Sequence, residues 1–317
     1  MTEVDAAWLT SHAWRPIGSR RTMVTGSGLL VDTVRDEIAS HAELVSTGPA
    51  DLVFALSTFD SRLGPDGFTL TRTGGVTSVQ ADSPAGLLYG LFHVVRLGEA
   101  AFEGDIPPEV HRPARARRML DHWDNVDVHP VMGQVERGYA GGSLFWCDGK
   151  LRDDLSRVTT YARLLASCGV NAVAVNNVNV RATEARLLTD RLDDVAALAD
   201  RFRPYGVRVY LSVSFAAPMT VGGLATADPL EPSVQDWWVR AADGVHARVP
   251  DFGGFVVKAD SEGEPGPYGY GRSHADGANL LAAALAPHGG VVFWRCFVYN
   301  HRQDWRDRTT DRARAAY

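Results

Sequence analysis

The chain has 317 residues, 45% apolar and 22% charged, with 32 Lys and Arg against 38 Asp and Glu for a net charge of −6. That length exceeds what one hydrophobic core usually organises, so two domains, or a large barrel with an accessory domain, are expected. No basic or acidic block stands out to bind nucleic acid or an anionic membrane, and no uncharged apolar run reaches the ~18 residues of a membrane span.

Cys147, Cys168 and Cys296 form no CxxC pair and have no histidine at metal-ligand spacing. They read as reduced, packed thiols, and neither a metal nor a cofactor is expected. The N-terminus lacks a basic start leading into an apolar stretch, which predicts a cytoplasmic protein.

In chain order, DLVFALSTF (residues 51–59) and GFTLTRTGGVTSVQA (residues 67–81) read as short strands, the second a hairpin about Thr73, Gly74 and Gly75. SPAGLLYGLFHVVRLG (residues 83–98) predicts a helix with Ser83 as N-cap and Pro84 at its first position. These elements predict a small N-terminal α/β domain over residues 1–113. The Pro- and Arg-rich stretch IPPEVHRPARARR (residues 106–118) reads as the boundary.

Over residues 114–317 the rhythm changes. Strand-like runs in RRMLDHWD, NAVAVNNVNV, VRVYLSVSF, FGGFVVKAD and VVFWRCFVY alternate with helical patterns. Such alternation predicts a parallel sheet of βα units, and runs apolar on both faces suit its buried strands. A closed (β/α)8 TIM barrel takes about 250 residues. Here five strands and four complete helices fit before the chain reaches TTDRARAAY, which reads as the start of a fifth helix. Two arrangements are open: a five-stranded open sheet, or the front part of a truncated TIM barrel.

In either arrangement the site belongs at the carboxyl ends of the strands. Those ends carry Asp121 to Asn125, Asn176 and Asn177, Lys258 to Glu262, and Arg295. If the extended conformation runs on past Lys258, alternation sets Lys258, Asp260 and Glu262 on one side. A carboxyl there with a raised pKa can act as a general acid, as in glycosidases. A neighbouring ammonium would oppose this by favouring the ionised form, unless Lys258 engages an acidic substrate such as a uronic acid, with Arg295 as a second clamp. The plainer alternative is a set of solvated loop charges or a structural ion pair. Asp121, Asp124 and Glu136 read as structural hydrogen-bonding groups of the first βα loop, His122 and His274 as packed or hydrogen-bonded residues, and Trp237 and Trp238 as helix core.

Three segments, HWDNVDVHPVMGQVERGYAGGSLF, VKADSEGEPGPYGYGRSHADGANLL and GGVVFWRCFVYNHRQDWRDRTTDRARAAY, resemble signature segments of the alpha-glucuronidases of glycoside hydrolase family 67. The N-terminal part is similar to that family's N-terminal domain, a fold also found ahead of hexosaminidase barrels. The resemblance implies inverting hydrolysis of the alpha-1,2 bond between (4-O-methyl)glucuronic acid and the terminal xylose of xylo-oligosaccharides, by an enzyme that dimerises at full length. It implies Glu262 as general acid and Lys258 and Arg295 as ligands of the glucuronate carboxylate. Trp146 matches an aromatic that packs on the sugar, or is a core tryptophan. Glu264 stands where the family more often has Gln, either close enough to raise its neighbour's pKa or solvated in a loop. The family's water-activating carboxylates lie on later strands than these five. The resemblance therefore implies that residues 1–317 alone are inactive; a non-catalytic acidic-sugar-binding protein is the alternative.

Overall fold

The computed structural model describes residues 9–56, 62–127, 142–261 and 263–295. They group into two compact units: Met1–Arg118 with Thr159–Asn171 and Arg201–Val207, and Met119–Val158 with Ala172–Asp200 and Arg208–Tyr317.

In the first unit the strands are β1 (Arg21–Val24), β2 (Glu43–Leu44), β3 (Leu52–Leu56), β4 (Phe68–Thr73), β5 (Val76–Ala81) and β6 (Ile106–His111). They form one sheet in the order β2-β1-β3-β5-β4-β6, parallel from β2 to β5 and antiparallel on either side of β4. The β4–β5 turn follows from its residues: Gly74 and Gly75 have φ of 59° and 87°, which a primed hairpin turn demands at both central positions. The first half of the stretch read as the boundary is strand β6, and the first unit's N-terminal segment runs to its end at Arg118. Pro107 and Pro108 of β6 each lack a donor, and a sheet edge is where a strand tolerates that.

Among the described residues three α-helices lie wholly within this unit: α1 (Arg15–Gly18), α2 (Leu29–Ala39) and α3 (Pro84–Leu97). As the sequence predicts, the Ser83 side chain accepts from Gly86 N at 3.1 Å and Pro84 opens α3. Val31, Val34 and Ile38 of α2 and Leu87, Leu88, Leu91 and Phe92 of α3 share one core with Leu52, Phe54, Leu70 and Val79 of the sheet. Glu37, buried in α2, accepts from Arg163 Nε at 2.8 and 2.9 Å and from the Tyr205 hydroxyl at 2.9 Å. Burial and the Glu37 charge push the Tyr205 phenol above its usual range.

The second unit holds β7 (Met119–Asp121), a small antiparallel ribbon of β8 (Trp146–Cys147) and β9 (Lys150–Leu151), then β10 (Ala172–Ala174), β11 (Arg208–Val213), β12 (Gly254–Lys258) and β13 (Val291–Arg295). The strands β7-β10-β11-β12-β13 form a parallel sheet in chain order. Between these strands in the chain run α4 (Ser156–Ser167), which from Thr159 onward belongs to the first unit, α5 (Ala182–Ala185), α6 (Leu192–Phe202), α7 (Ala217–Thr220), α8 (Pro232–Arg248) and α9 (His274–Leu285). Trp237 and Trp238 pack from α8, the latter 5.7 Å from the Phe255 ring.

Side-chain contacts decide between the two arrangements left open. Laid flat, five strands would put the outer two about 19 Å apart. Yet the Arg295 guanidinium at the end of β13 lies 5.4 Å from the ring centre of Trp123, just beyond β7. The sheet is therefore curled into a half-barrel. Its concave face carries Ala172, Ala174, Tyr210 and Val256, with Met119, Val291 and Phe293 partly buried against them.

One glycine tests the packing of the first unit. A Cβ on Gly90 of α3 would lie 2.4 Å from Val79 Cγ1 of β5. Ala gains about 1 kcal/mol of helix propensity over Gly, whereas overpacking a core costs about 1–3 kcal/mol. Gly90→Ala should therefore lower the urea midpoint of unfolding; an unchanged or higher midpoint would show that the contact yields.

Candidate functional site

Lys258 is the last residue of β12 and stands beside Arg295 of β13 in register. Alternation puts both on the concave face, one step beyond Val256 and Phe293. Lys258 is only 2% exposed, and its Nζ donates to Asn179 Oδ1 at 2.7 Å. Asn179 is held in turn, its backbone N–H donating to Asn177 Oδ1 at 2.9 Å, while Asn177 Nδ2 donates to Asn125 Oδ1 at 2.9 Å. A relay of buried amides thus leads from the end of β12 to the loop after β7. Asn176 points elsewhere, donating to Ser212 O at 2.9 Å and accepting from Ser212 N at 3.0 Å.

Asp121 ends β7 on the same face, opposite Arg295. The residue keeps exposed surface, yet burial of the carboxyl raises its pKa, against the opposing pull of Arg295 and a hydrogen bond from Trp123. The sequence reading treated it as structural; the structure faces it into the bowl.

The charges after β12 do not fall on one side. The strand ends at Lys258, and Asp260 has a φ of 51°, so strand alternation stops there. Its carboxylate turns back to accept from Tyr268 N at 3.0 Å. Glu264 is not solvated: it is 7% exposed and lies 3.6 Å from Arg181 Nη1. Glu262, the residue matched to the general acid, lies outside the described residues, as does Glu136.

Trp146 departs from the sugar-packing role that the resemblance implies. It is fully buried, its Nε1 donates to Val175 O at 3.1 Å, and the Arg191 guanidinium lies 5.6 Å from the ring. With both faces covered, it is a core residue. Asp124 is structural as expected, its Oδ2 accepting from Ser143 Oγ at 2.6 Å and Leu144 N at 3.1 Å. Burial lowers the pKa of His274, whose Nδ1 accepts from Trp294 Nε1 at 3.1 Å. Cys147 and Cys168 are free thiols; Cys168 is exposed rather than packed, and Cys296 lies outside the described residues. Among the described residues no three His, Cys, Asp or Glu side chains are grouped to hold a metal.

Sequence reasoning missed Asn179 as the partner of Lys258, and Glu184, which accepts from Val126 N at 2.8 Å and Arg181 N at 3.2 Å. The signal for the first was present: three asparagines inside the otherwise apolar AVAVNNVNV have to find partners at the end of a buried strand.

Two measurements check this site. Asn176→Ala strips both backbone groups of Ser212 of their partner, at about 1–3 kcal/mol each, and should cost about 2–4 kcal/mol in urea unfolding. Arg295→Leu removes the charge that pulls the Asp121 pKa down, so the Asp121 carboxyl should titrate at still higher pH by carbon NMR. A downward move would show that the two groups do not face each other.

The sequence matches the glycosyl hydrolase family 67 middle domain over residues 105–317. It is 45% identical over 258 residues to alpha-glucuronidase A of Emericella nidulans, covering 79% of this chain and 30% of that protein. It is 41% identical over 324 residues to a probable alpha-glucuronidase A of Aspergillus fumigatus, covering 97% of this chain and 37% of that one. The chain thus spans about a third of the length of these curated relatives. Among solved structures, Streptomyces plicatus N-acetyl-beta-hexosaminidase aligns over 86% of this chain and 60% of its own, with a TM-score of 0.53 at 11% identity. A GH138 enzyme targeting pectin rhamnogalacturonan II aligns over 85% of this chain and 33% of its own, with a TM-score of 0.56 at 12% identity. These likenesses concern the fold alone. By the extent of the match and the identity to its relatives, the chain belongs to glycoside hydrolase family 67.

Proposed function

We propose that the chain carries the uronate-binding half of an alpha-glucuronidase acting on glucuronic-acid-substituted xylo-oligosaccharides. One observation supports this most directly: a buried ammonium and a guanidinium stand side by side in register on the concave face, at the strand ends where barrel enzymes bind their substrates. A carboxylate set between Lys258 and Arg295 gains charge-assisted hydrogen bonds from both. The guanidinium is steadied by its place over Trp123, and the ammonium by Asn179.

In the reaction, Glu262 protonates the oxygen of the departing xylose while water attacks the anomeric carbon from the other face. Inversion calls for a second carboxylate about 6.5–9.5 Å from the acid, and family resemblance assigns it to strands later than these five. The ammonium beside the loop would by itself favour an ionised Glu262. Engaged with the substrate carboxylate, that charge is neutralised, and the acid can hold its proton.

Calorimetric titration of this chain with glucuronate tests the clamp. Arg295→Leu and Lys258→Met each remove a charged hydrogen bond worth about 1.5–3 kcal/mol, so affinity should fall roughly ten- to a hundred-fold. Neutral xylobiose should bind as before, and parallel losses for both ligands would sink the reading. In the polypeptide extended to its relatives' length, Glu262→Gln should slow glucuronic acid release from aldouronic oligosaccharides by about 10²–10⁴-fold. Full turnover in that variant would take Glu262 out of the acid's role.

A further inference from the structure

The first unit contains a pocket of about 450 Å³ that has no part in the chemistry above. Its floor is aromatic: His111 stacks on Phe68 at 4.9 Å between ring centres with 16° between planes, and His93 lies 4.3 Å from His111 and 5.4 Å from Phe68. Its rim is basic, with Arg96, Arg112 and Arg118 all among the lining residues.

The three guanidiniums are not equivalent. Arg118 is committed to the fold: Nη2 pairs with Asp66 at 2.8 Å, Nη1 donates to Arg115 O at 2.7 Å, and Nε donates to Gly169 O. Arg96 donates to three neutral groups, Ser167 Oγ at 3.0 Å, Phe92 O at 3.4 Å and Cys168 Sγ at 3.9 Å, and Arg112 to Arg62 O at 3.2 Å. Among the described residues neither Arg96 nor Arg112 has a carboxylate at ion-pair distance. Both are exposed, so neither position is forced on the chain by burial.

The acidic groups near the pocket are few. Asp66 is paired with Arg118, and Glu109 lies 3.6 Å from His111 Nε2. Burial, His111 and Arg96 each lower the pKa of His93, with Glu109 alone opposing them, as expected where positive charge is in excess. The volume lies in the range of small-ligand sites, and planar rings beneath a basic rim suit a sugar face whose substituent is an anion.

We propose that this pocket is a second ligand site, which binds a monosaccharide-sized ring carrying a carboxylate or phosphate, held by Arg96 and Arg112 over the His93–His111–Phe68 floor. It is a different site from the barrel clamp and does not depend on it. Occupancy neutralises the excess charge and covers the exposed thiol of Cys168 on the pocket wall.

That thiol supplies a local readout. Alkylation of Cys168 by iodoacetamide, followed peptide by peptide in a mass spectrometer, should slow as glucuronate or glucose 1-phosphate is added, and glucose should have no effect. Protection by one anion alone would identify it as the ligand source; protection by both would show that the shared oxyanion is what is read. Arg112→Met, on an exposed side chain remote from the core, should raise the half-protecting concentration about ten-fold or more. Arg96→Met should do the same, and Arg96→Lys should recover part of the loss. Arg295→Leu in the barrel should leave Cys168 protection unaltered, which separates a failure here from a failure of the clamp. Absence of protection by either anion, equal protection by glucose, or indifference to both arginine substitutions would overturn the proposal.

Discussion

A buried ammonium is the constraint around which the barrel mouth is arranged. Withdrawing a charge from water costs several kcal/mol after relaxation, so a lysine that is 2% exposed has to be met by polar atoms already in place. Asn179 meets it at 2.7 Å, and Asn179 can do so only because Asn177 holds its backbone and Asn125 holds Asn177. Each asparagine is positioned by the next, across the carboxyl ends of β12, β10 and β7. This explains why an apolar strand ends in a run of amides: amides donate and accept without adding charge, so they can relay position through a dry interior.

The same logic sets the shape of the loop that follows. A run that stayed extended past Lys258 would have thrown Asp260 onto the face of the ammonium, where the two would neutralise each other. Instead Asp260 takes up a left-handed conformation and folds its carboxylate back onto the Tyr268 N–H. Gly266 completes the turn, since a Cβ there would lie 2.3 Å from that carboxylate. Glu264 is likewise drawn off, to Arg181. The two acidic neighbours of Lys258 whose positions are described are thus occupied with partners of their own.

How much of this was legible in the sequence depended on the range of the interaction. The Ser83-Pro84 helix start, the Gly74-Gly75 hairpin and the five barrel strands were readable because each is set by residues adjacent in the chain. The strand β6 was not, because two prolines argue against a strand until it is known that the strand occupies a sheet edge. The site divided in the same way. Lys258 and Arg295 could be placed at strand ends from periodicity, but that Trp146 lies sealed beneath Arg191, or that Asp260 reverses, depends on tertiary contacts and a single backbone angle. The neighbourhood of Asp121 was not legible either. Its proximity to Arg295 comes from sheet curvature, which brings the first strand opposite the fifth.

Lysine at 258 and arginine at 295 are not interchangeable choices. A compact ammonium suits the tight, buried spot beside Asn179, to which it donates at 2.7 Å. A planar guanidinium suits the half-open edge, where it can lie over Trp123 and still present its fork. Two like charges side by side on neighbouring strands repel. Asp121 offsets this repulsion in part, at the cost of a carboxyl that is held less readily in its ionised form.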